Sequence, residues 1–276
     1  MAHILVTDDD AATREMLRGV LKKKGHKISV AADGITALKA IHKNKFDLVL
    51  LDIWMPKMTG LGLLGSLQGE DHIPKIIVMT SDQTSETLLH ALRGRVYQFI
   101  TKPIDAETLL LTVENALSAN PATPAIEVIA ANSHWVELLV PCERSVVSRV
   151  QSFLSRLETD LPEEVLEKVG YAFRELLNNA IEWGGHLDPN LKVRISYIRT
   201  KRLLMYRLDD PGPGFKIEEL KHAAISNPEN DPMAHMVERE VKGLRPGGLG
   251  LMLTQQLVDE LVYNESRNSV VLIKYL

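Results

Sequence analysis

Residues 1–120 alternate short apolar runs with amphipathic segments, and this alternation constrains the fold more than any other feature of the chain. Apolar runs at 4–7, 27–31, 48–52, 75–80 and 98–101 have the length and composition of strands. Segments 11–24, 34–43, 59–67, 84–92 and 106–119 carry helical spacing. Near-continuous apolar strands, each followed by a helix, mean βαβ units. The expectation is therefore an α/β domain, a doubly wound parallel sheet of five strands with five helices.

The pattern breaks at ANPATPA, residues 119–125, where two prolines and small residues replace the apolar periodicity. A chain of 276 residues has room for two ordinary domains of about 150 residues each. The reading is a first domain at 1–120, a linker at 121–129 and a second domain at 130–276. The second domain has a different order: a strand at 135–141, helices at 143–157 and about 162–183, then alternating strands at 192–199 and 202–208 joined by a basic turn. A polar, proline-bearing stretch at 226–232 precedes a helix near 250–261 and a last strand at 269–275. Helices and antiparallel strands in blocks indicate an α+β sandwich.

Composition excludes several classes. Residues 1–120 hold 14 basic and 14 acidic side chains of the chain totals of 32 and 36, so neither half is built to wrap nucleic acid by bulk charge. Acids interrupt every apolar stretch well short of the roughly 18 residues a bilayer crossing needs, and three acids at 8–10 stand where a signal peptide would be apolar. No membrane association and a cytoplasmic location are expected. The single cysteine, Cys142, excludes an intramolecular disulfide and a cysteine-based zinc site; it reads as a small buried residue after a strand.

Asp8 and Asp9 follow the first strand and Asp52 ends the third, so in an open parallel sheet all three meet at the carboxyl edge. Three adjacent carboxylates repel unless a cation joins them, and a hard ion such as Mg²⁺ suits the oxygen donors. Asp52 is then a candidate nucleophile toward a phosphoryl group, with Asp9 and Asp8 holding the metal. Thr80 ends the fourth strand and Lys102 follows the fifth, bringing a hydroxyl and an ammonium to the same edge; both suit phosphoryl oxygens. ILVTDDDAATREML, the LLDIWMP around Asp52, the MTS ending at Ser81 and the ITKP ending at Pro103 resemble the receiver domain of two-component response regulators over almost all of 1–120. The resemblance implies that Asp52 accepts phosphate from a histidine kinase or phosphotransfer protein, that Thr80 and Lys102 bind the phosphoryl group and that Asp8 and Asp9 support Mg²⁺. Phe99 stands at the family's rotating aromatic switch, with Tyr97 two residues earlier, and Gly60 serves the turn into the next helix.

In the second domain, YAFRELLNNAIEWG places Glu175 and Asn179 four residues apart on one helix face. Asn179 offers a carbonyl to Mg²⁺ and Glu175 a carboxylate to an attacking hydroxyl; Asn178 and Glu182 are nearby alternatives. DDPGPGF follows a strand: Asp210 can accept the amino hydrogen of adenine, Gly212 and Gly214 permit close backbone approach, and Pro211 and Pro213 stiffen the loop. GLRPGGLGL sets Gly243, Gly247, Gly248 and Gly250 ahead of a helix, where free N–H groups cradle phosphates. A P-loop sequence is absent.

Taken in this order, ELLNNA, DDPGPG and RPGGLGL resemble the N, G1 and G2 boxes of the GHKL ATPase superfamily, shared by histidine kinases, gyrase and the anti-sigma serine kinases. The short span between boxes and the final LVDELVY and NSVVLIKYL are most similar to the anti-sigma serine/threonine kinase branch. That resemblance implies ATP and Mg²⁺ as cofactors, Asn179 as metal ligand, Glu175 as base, Asp210 as adenine reader, and Gly212, Gly214, Gly248 and Gly250 along the phosphates and lid. Trp183 replaces a histidine common in that branch. His134 and His186 lack the helical context of a phosphorylatable histidine, which argues against a histidine autokinase.

The combined expectation is a response regulator whose Asp52 controls an ATP-binding serine/threonine kinase-like output. Its downstream partner would be a regulatory protein such as an anti-sigma antagonist, or a sigma factor. A non-catalytic, nucleotide-dependent partner switch that sequesters a sigma factor uses the same pocket and stays open, as does a homodimer. Direct nucleic-acid binding is not expected, since the output lacks a basic recognition helix.

Overall fold

A computed structural model describes residues 1–70, 72–81, 84–94, 96–119, 126–132, 134–216, 224, 231, 233–241 and 248–276. The linker core at 120–125, most of the stretch at 226–232, and Gly243 and Gly247 lie outside the described residues. The chain divides into two compact units, Met1–Ala122 and Thr123–Leu276.

The first unit is a parallel sheet of β1 (His3–Thr7), β2 (Lys27–Ala31), β3 (Leu48–Asp52), β4 (Lys75–Thr80) and β5 (Gln98–Thr101) in the order β2-β1-β3-β4-β5. Helices α1 (Ala11–Lys23), α2 (Gly34–Lys43), α3 (Gly60–Ser66), α4 (Ser85–Arg93) and α5 (Ala106–Ser118) alternate with the strands. Ile4, Val6, Leu48, Leu50, Ile77, Met79 and Ile100 form one core with Leu17 and Leu21 of α1 and Leu109 and Val113 of α5. Strand alternation sends the equally buried Leu5, Val49, Leu51, Val78 and Phe99 to the other face. That two-sided burial is why the central strands β1, β3 and β4 are apolar almost throughout. Polar residues sit at helix entries instead: Asp10, Asp33, Thr59 and Asp105 accept hydrogen bonds from the N–H groups of Thr13, Thr36, Gly62 and Thr108, caps worth about 1 kcal/mol each.

The second unit is an antiparallel sheet ordered β10-β11-β9-β8-β7-β6 among the described residues. Its strands are β6 (Glu127–Ala131), β7 (Trp135–Pro141), β8 (Lys192–Arg199), β9 (Leu203–Asp209), β10 (Glu260–Tyr263) and β11 (Ser269–Tyr275). Alternate residues Val136, Leu138, Val140, Val193, Ile195, Tyr197, Leu204, Tyr206 and Leu208 are buried. Helices α6 (Arg144–Leu154), α7 (Glu163–Asn179), α8 (Ala234–Val241) and α9 (Gly250–Leu257) complete the unit, and the ring of Phe173 on α7 meets Tyr206 on β9 at 4.7 Å. This is the α+β sandwich of the GHKL architecture, beside the (βα)5 fold of the first unit.

Four elements depart from the sequence expectation. The strand β6 occupies part of the stretch read as linker; EVIAA is short and small-residued, and it becomes a strand by pairing with β7. The helix α8 was not expected. The helix expected over 250–261 ends at Leu257, and Glu260–Tyr263 pairs with the edge of β11, because an open edge rewards a partner strand more than β-branched residues reward a further helical turn. The helix expected over 162–183 leaves α geometry at Asn179 and finishes as a π turn, Ala180–Gly184, with Gly185 N–H donating to Ala180 O at 2.8 Å.

Candidate phosphoacceptor and nucleotide sites

The sheet order reverses at β1, and β1 pairs with β3 so that Thr7 lies opposite Leu51. The next residues, Asp8 and Asp52, therefore meet at the carboxyl edge. Asp8, Asp9 and Asp52 each offer an oxygen within 4.8 Å of the others, with Asp8 and Asp52 buried and Asp9 exposed. Lys102 reaches in from the end of β5, its Nζ 2.6 Å from Asp52 Oδ2 and 2.9 Å from Asp8 Oδ2. The second contact is an ion pair without hydrogen-bond geometry, and Asp8 Oδ2 is otherwise buried without a hydrogen bond. Thr80, fully buried, ends β4 beside Thr101 of β5. Phe99, 4% exposed, lies one strand position from Ile100 and on the opposite face of the sheet.

Burial raises the Asp52 carboxyl above its ordinary range, against the opposing pull of Lys102. Burial also works against the Lys102 ammonium, yet hydrogen bonding to Asp52 and the nearby Asp8 carboxylate outweigh it, and its pKa rises. One ammonium thus faces the two buried carboxylates of Asp8 and Asp52, and the all-oxygen donor set of Asp8, Asp9 and Asp52 fits a hard divalent cation.

Two supports of this pocket were missed in the sequence. Arg14 Nη1 donates to the main-chain oxygens of Asp8 and Asp9, at 2.7 and 2.9 Å, and so fixes the backbone that carries them. Asp10 turns away to cap α1, its Oδ2 2.7 Å from Thr13 N. Gly60 packs where any Cβ would strike the main-chain oxygen of Asp52, and its N–H donates to Ile53 O at 2.8 Å. A short polar side chain before a helix signals the cap; nothing local signals Arg14.

In the second unit the three motif segments converge on the C-terminal end of α7. Gly250, the first residue of α9, has no room for a Cβ because Glu175 Oε2 occupies that space. Gly184, in the π turn just past Asn179, is likewise filled by Asp210 Oδ1. Gly212 N–H donates to that same oxygen at 2.8 Å. The side chains of Glu175 and Asn179, both half-buried, make no hydrogen bond among the described residues, nor does Asp210 Oδ2. Burial raises the Asp210 carboxyl above its ordinary range, countered in part by Gly212 N–H. Gly214 adopts φ +85° with Ser266 O where a Cβ would go, and Gly248, at φ +97°, accepts a hydrogen bond from Ala224 N at 2.8 Å. Cys142 is buried against Gly185, and its thiol is pushed up to about 11 by burial and the Asp210 charge; such a thiol stays protonated and inert. Trp183 is 49% exposed on the π turn. The sequence did not reveal Gly184 as a packing position or Asn268, whose amide holds the Asp210 loop.

Comparison with known proteins agrees with both halves. Residues 4–114 match the response regulator receiver domain and residues 141–274 the histidine kinase-like ATPase domain. The DNA-binding response regulator MtrA of Mycobacterium tuberculosis is 32% identical over 183 residues, covering 66% of this chain and 78% of that protein. The transcriptional regulatory protein ZraR of Escherichia coli is 32% identical over 127 residues, 45% of this chain and 29% of that protein. The structure of Vibrio cholerae chemotaxis protein CheY4 is 30% identical, covering 42% of this chain and 99% of that one at a TM-score of 0.40. Among the described residues no helix is long and apolar enough to cross a membrane. The chain belongs to the response regulators, and carries a receiver domain followed by a histidine kinase-like ATPase domain.

Proposed function

We propose that phosphorylation of Asp52 controls an ATP-dependent serine/threonine protein kinase activity of the second domain, directed at a regulatory protein such as an anti-sigma antagonist. The observation that carries this reading is the convergence at the end of α7: Glu175 against Gly250, Gly184 against Asp210, and the side chains of Glu175 and Asn179 left without hydrogen bonds among the described residues. Two polar side chains on one face of a packed helix, half open to solvent and uncommitted to neighbouring groups, are available to a polar ligand. MtrA is a DNA-binding response regulator; here an ATPase domain spans 141–274, which favours a nucleotide-dependent output.

At the receiver, an Asp52 oxygen attacks the phosphorus of a group delivered by a histidine kinase or phosphotransfer protein. A carboxyl–phosphate bond forms as the donor's bond to phosphorus breaks. Lys102 and Thr80 receive the phosphoryl oxygens, and Asp8, Asp9 and Asp52 would hold Mg²⁺. When bound, that ion supplies positive charge to the phosphoryl oxygens. Phe99 then repacks toward the pocket and carries the change to the receiver surface. In the output, Asp210 accepts the adenine amino hydrogen and Gly212, Gly214, Gly248 and Gly250 admit the phosphates. Asn179 would hold the Mg²⁺ that accompanies ATP, and Glu175 takes the proton from the acceptor hydroxyl.

Incubating the full chain with labelled Mg-ATP and a candidate partner tests this reading. Phosphate on a partner serine or threonine, lost in Glu175→Ala while ATP binding persists, is the expected result. Nucleotide-dependent capture of the partner without transfer would replace the kinase by a sequestering switch.

A further inference from the structure

The loop that carries Asp210 is fastened to the turn between β10 and β11, residues 264–268, which holds no phosphate-binding motif. Asp210 N–H donates to Asn268 O at 2.9 Å, and Asn268 Nδ2 donates to Gly212 O at 3.0 Å. Gly212 N–H closes the circuit onto Asp210 Oδ1. The ring therefore runs through the carboxylate itself: it consumes Oδ1 and leaves Oδ2 to a ligand. At the far end of the loop, Phe215 N–H donates to Ser266 O at 3.2 Å, and the Phe215 ring lies edge-on to Tyr263 at 5.7 Å.

The Asn268 amide is itself oriented. Its Oδ1 accepts from Asn264 Nδ2 at 2.8 Å, while Asn264 Oδ1 accepts the main-chain N–H groups of Asn268 and Ser269, each at 3.1 Å. A flipped Asn268 amide would set NH₂ against NH₂ at Asn264 and oxygen against oxygen at Gly212, so only one orientation satisfies both sides. We infer that Asn268, held by Asn264, is a positioning residue that fixes the direction in which Asp210 presents its free oxygen, and thereby sets the preference of the pocket for a purine bearing a 6-amino group. This inference rests on the reading of Asp210 as the adenine acceptor.

An aspartate freed from the ring still carries an oxygen but no longer aims it. Selectivity between a 6-amino purine and its 6-oxo counterpart, whose oxygen repels a carboxylate, is the property that disappears. Calorimetric affinities of ATP and inosine triphosphate for the full chain read it directly. Wild type should prefer ATP by about 10-fold or more, and Asn268→Ala should cut that ratio to about 3-fold or less while the melting midpoint moves by under about 5 °C. Asn268→Asp, the closer isostere, should be worse than alanine because it turns the donor at Gly212 O into a second acceptor; a space-filling role predicts the reverse order. Asn264→Ser, which leaves Asn268 in place but unheld, should lower the ratio as well and serves if the Asn268 variants do not fold. A wild-type ratio in the Asn268 or Asn264 variants overturns the inference. A wild-type protein without preference for ATP, or a preference that survives Asp210→Asn, removes the adenine reading, and the inference with it, before any Asn268 variant is read.

Discussion

Two buried acids, Asp52 and Glu158, show how the same functional group is put to opposite uses. Asp52 is raised by burial and held down by Lys102 at 2.6 Å. Removing that ammonium in Lys102→Ala leaves three carboxylates facing one another, so the Asp52 pKa climbs further, because the nearby positive charge that favours its ionised form is gone. Phosphorylation by a small acyl phosphate donor needs the ionised carboxylate. The acidic limb of its pH–rate profile should therefore shift to higher pH, and an unmoved limb would show that Lys102 does not set the charge of Asp52. Glu158 lies deep in the second unit, accepting a hydrogen bond from the Tyr206 hydroxyl; burial pushes it up to about 7 from an ordinary 4.5. Between those values the native state binds the proton that the unfolded chain has lost. Its contribution is complete below about 4.5 and is lost as pH rises through about 7, a loss of about 3 kcal/mol in full. Glu158→Gln keeps the acceptor for Tyr206 and abolishes the titration. Urea unfolding should find the second unit of the variant more stable than wild type at pH 8, with the difference narrowing toward pH 5. Equal pH slopes would mean that Glu158 is charged in the fold.

At the scale of elements, the π turn after α7 decides where Asp210 sits. One extra residue in the last turn swings Gly184 and Gly185 against Asp210 and Cys142, where no side chain fits. Gly184→Ala should displace the Asp210 carboxylate and weaken ATP binding about 10-fold or more, the value of one good charged hydrogen bond, without altering phosphorylation of Asp52. Unchanged ATP affinity would separate the π turn from the nucleotide site. This turn also marks where the sequence ceased to be legible. A 3.6-residue period and one π turn differ by a single residue at a helix end, so ELLNNAIEWG reads as helix throughout. The receiver was legible because its central strands β1, β3 and β4 are apolar on both faces and its functional groups stand at strand ends, Asp8 after β1, Asp52 and Thr80 closing β3 and β4, Lys102 after β5. Glu175 and Asn179 were legible from helical spacing, and Asp210 from its place after a strand. Arg14, Asn268 and the packing of Gly184 and Gly250 were not, because each acts on a segment distant in sequence or on backbone atoms that carry no compositional signal. The strands β6 and β10 were missed because their partners, more than their own residues, make them strands.

For the whole molecule, the function proposed for Asp52 requires that the receiver and the ATPase domain share free energy. Such coupling is reciprocal: a phosphoryl mimic that changes nucleotide affinity by some factor must have its own affinity changed by nucleotide to the same extent. Titrating Mg-ATP into the full chain with and without beryllofluoride at Asp52 measures one side of this cycle. Titrating beryllofluoride with and without a non-hydrolysable ATP analogue measures the other. We expect both affinities to change by the same factor, about 5-fold or more for a coupling of ordinary size, and to become independent of each other in Asp52→Asn. Saturable ATP binding that ignores beryllofluoride would confine the influence of Asp52 to the docking of partners. The absence of ATP binding in either state would remove the kinase output while leaving the receiver chemistry intact, since Asp8, Asp9, Asp52 and Lys102 are assembled entirely within Met1–Ala122.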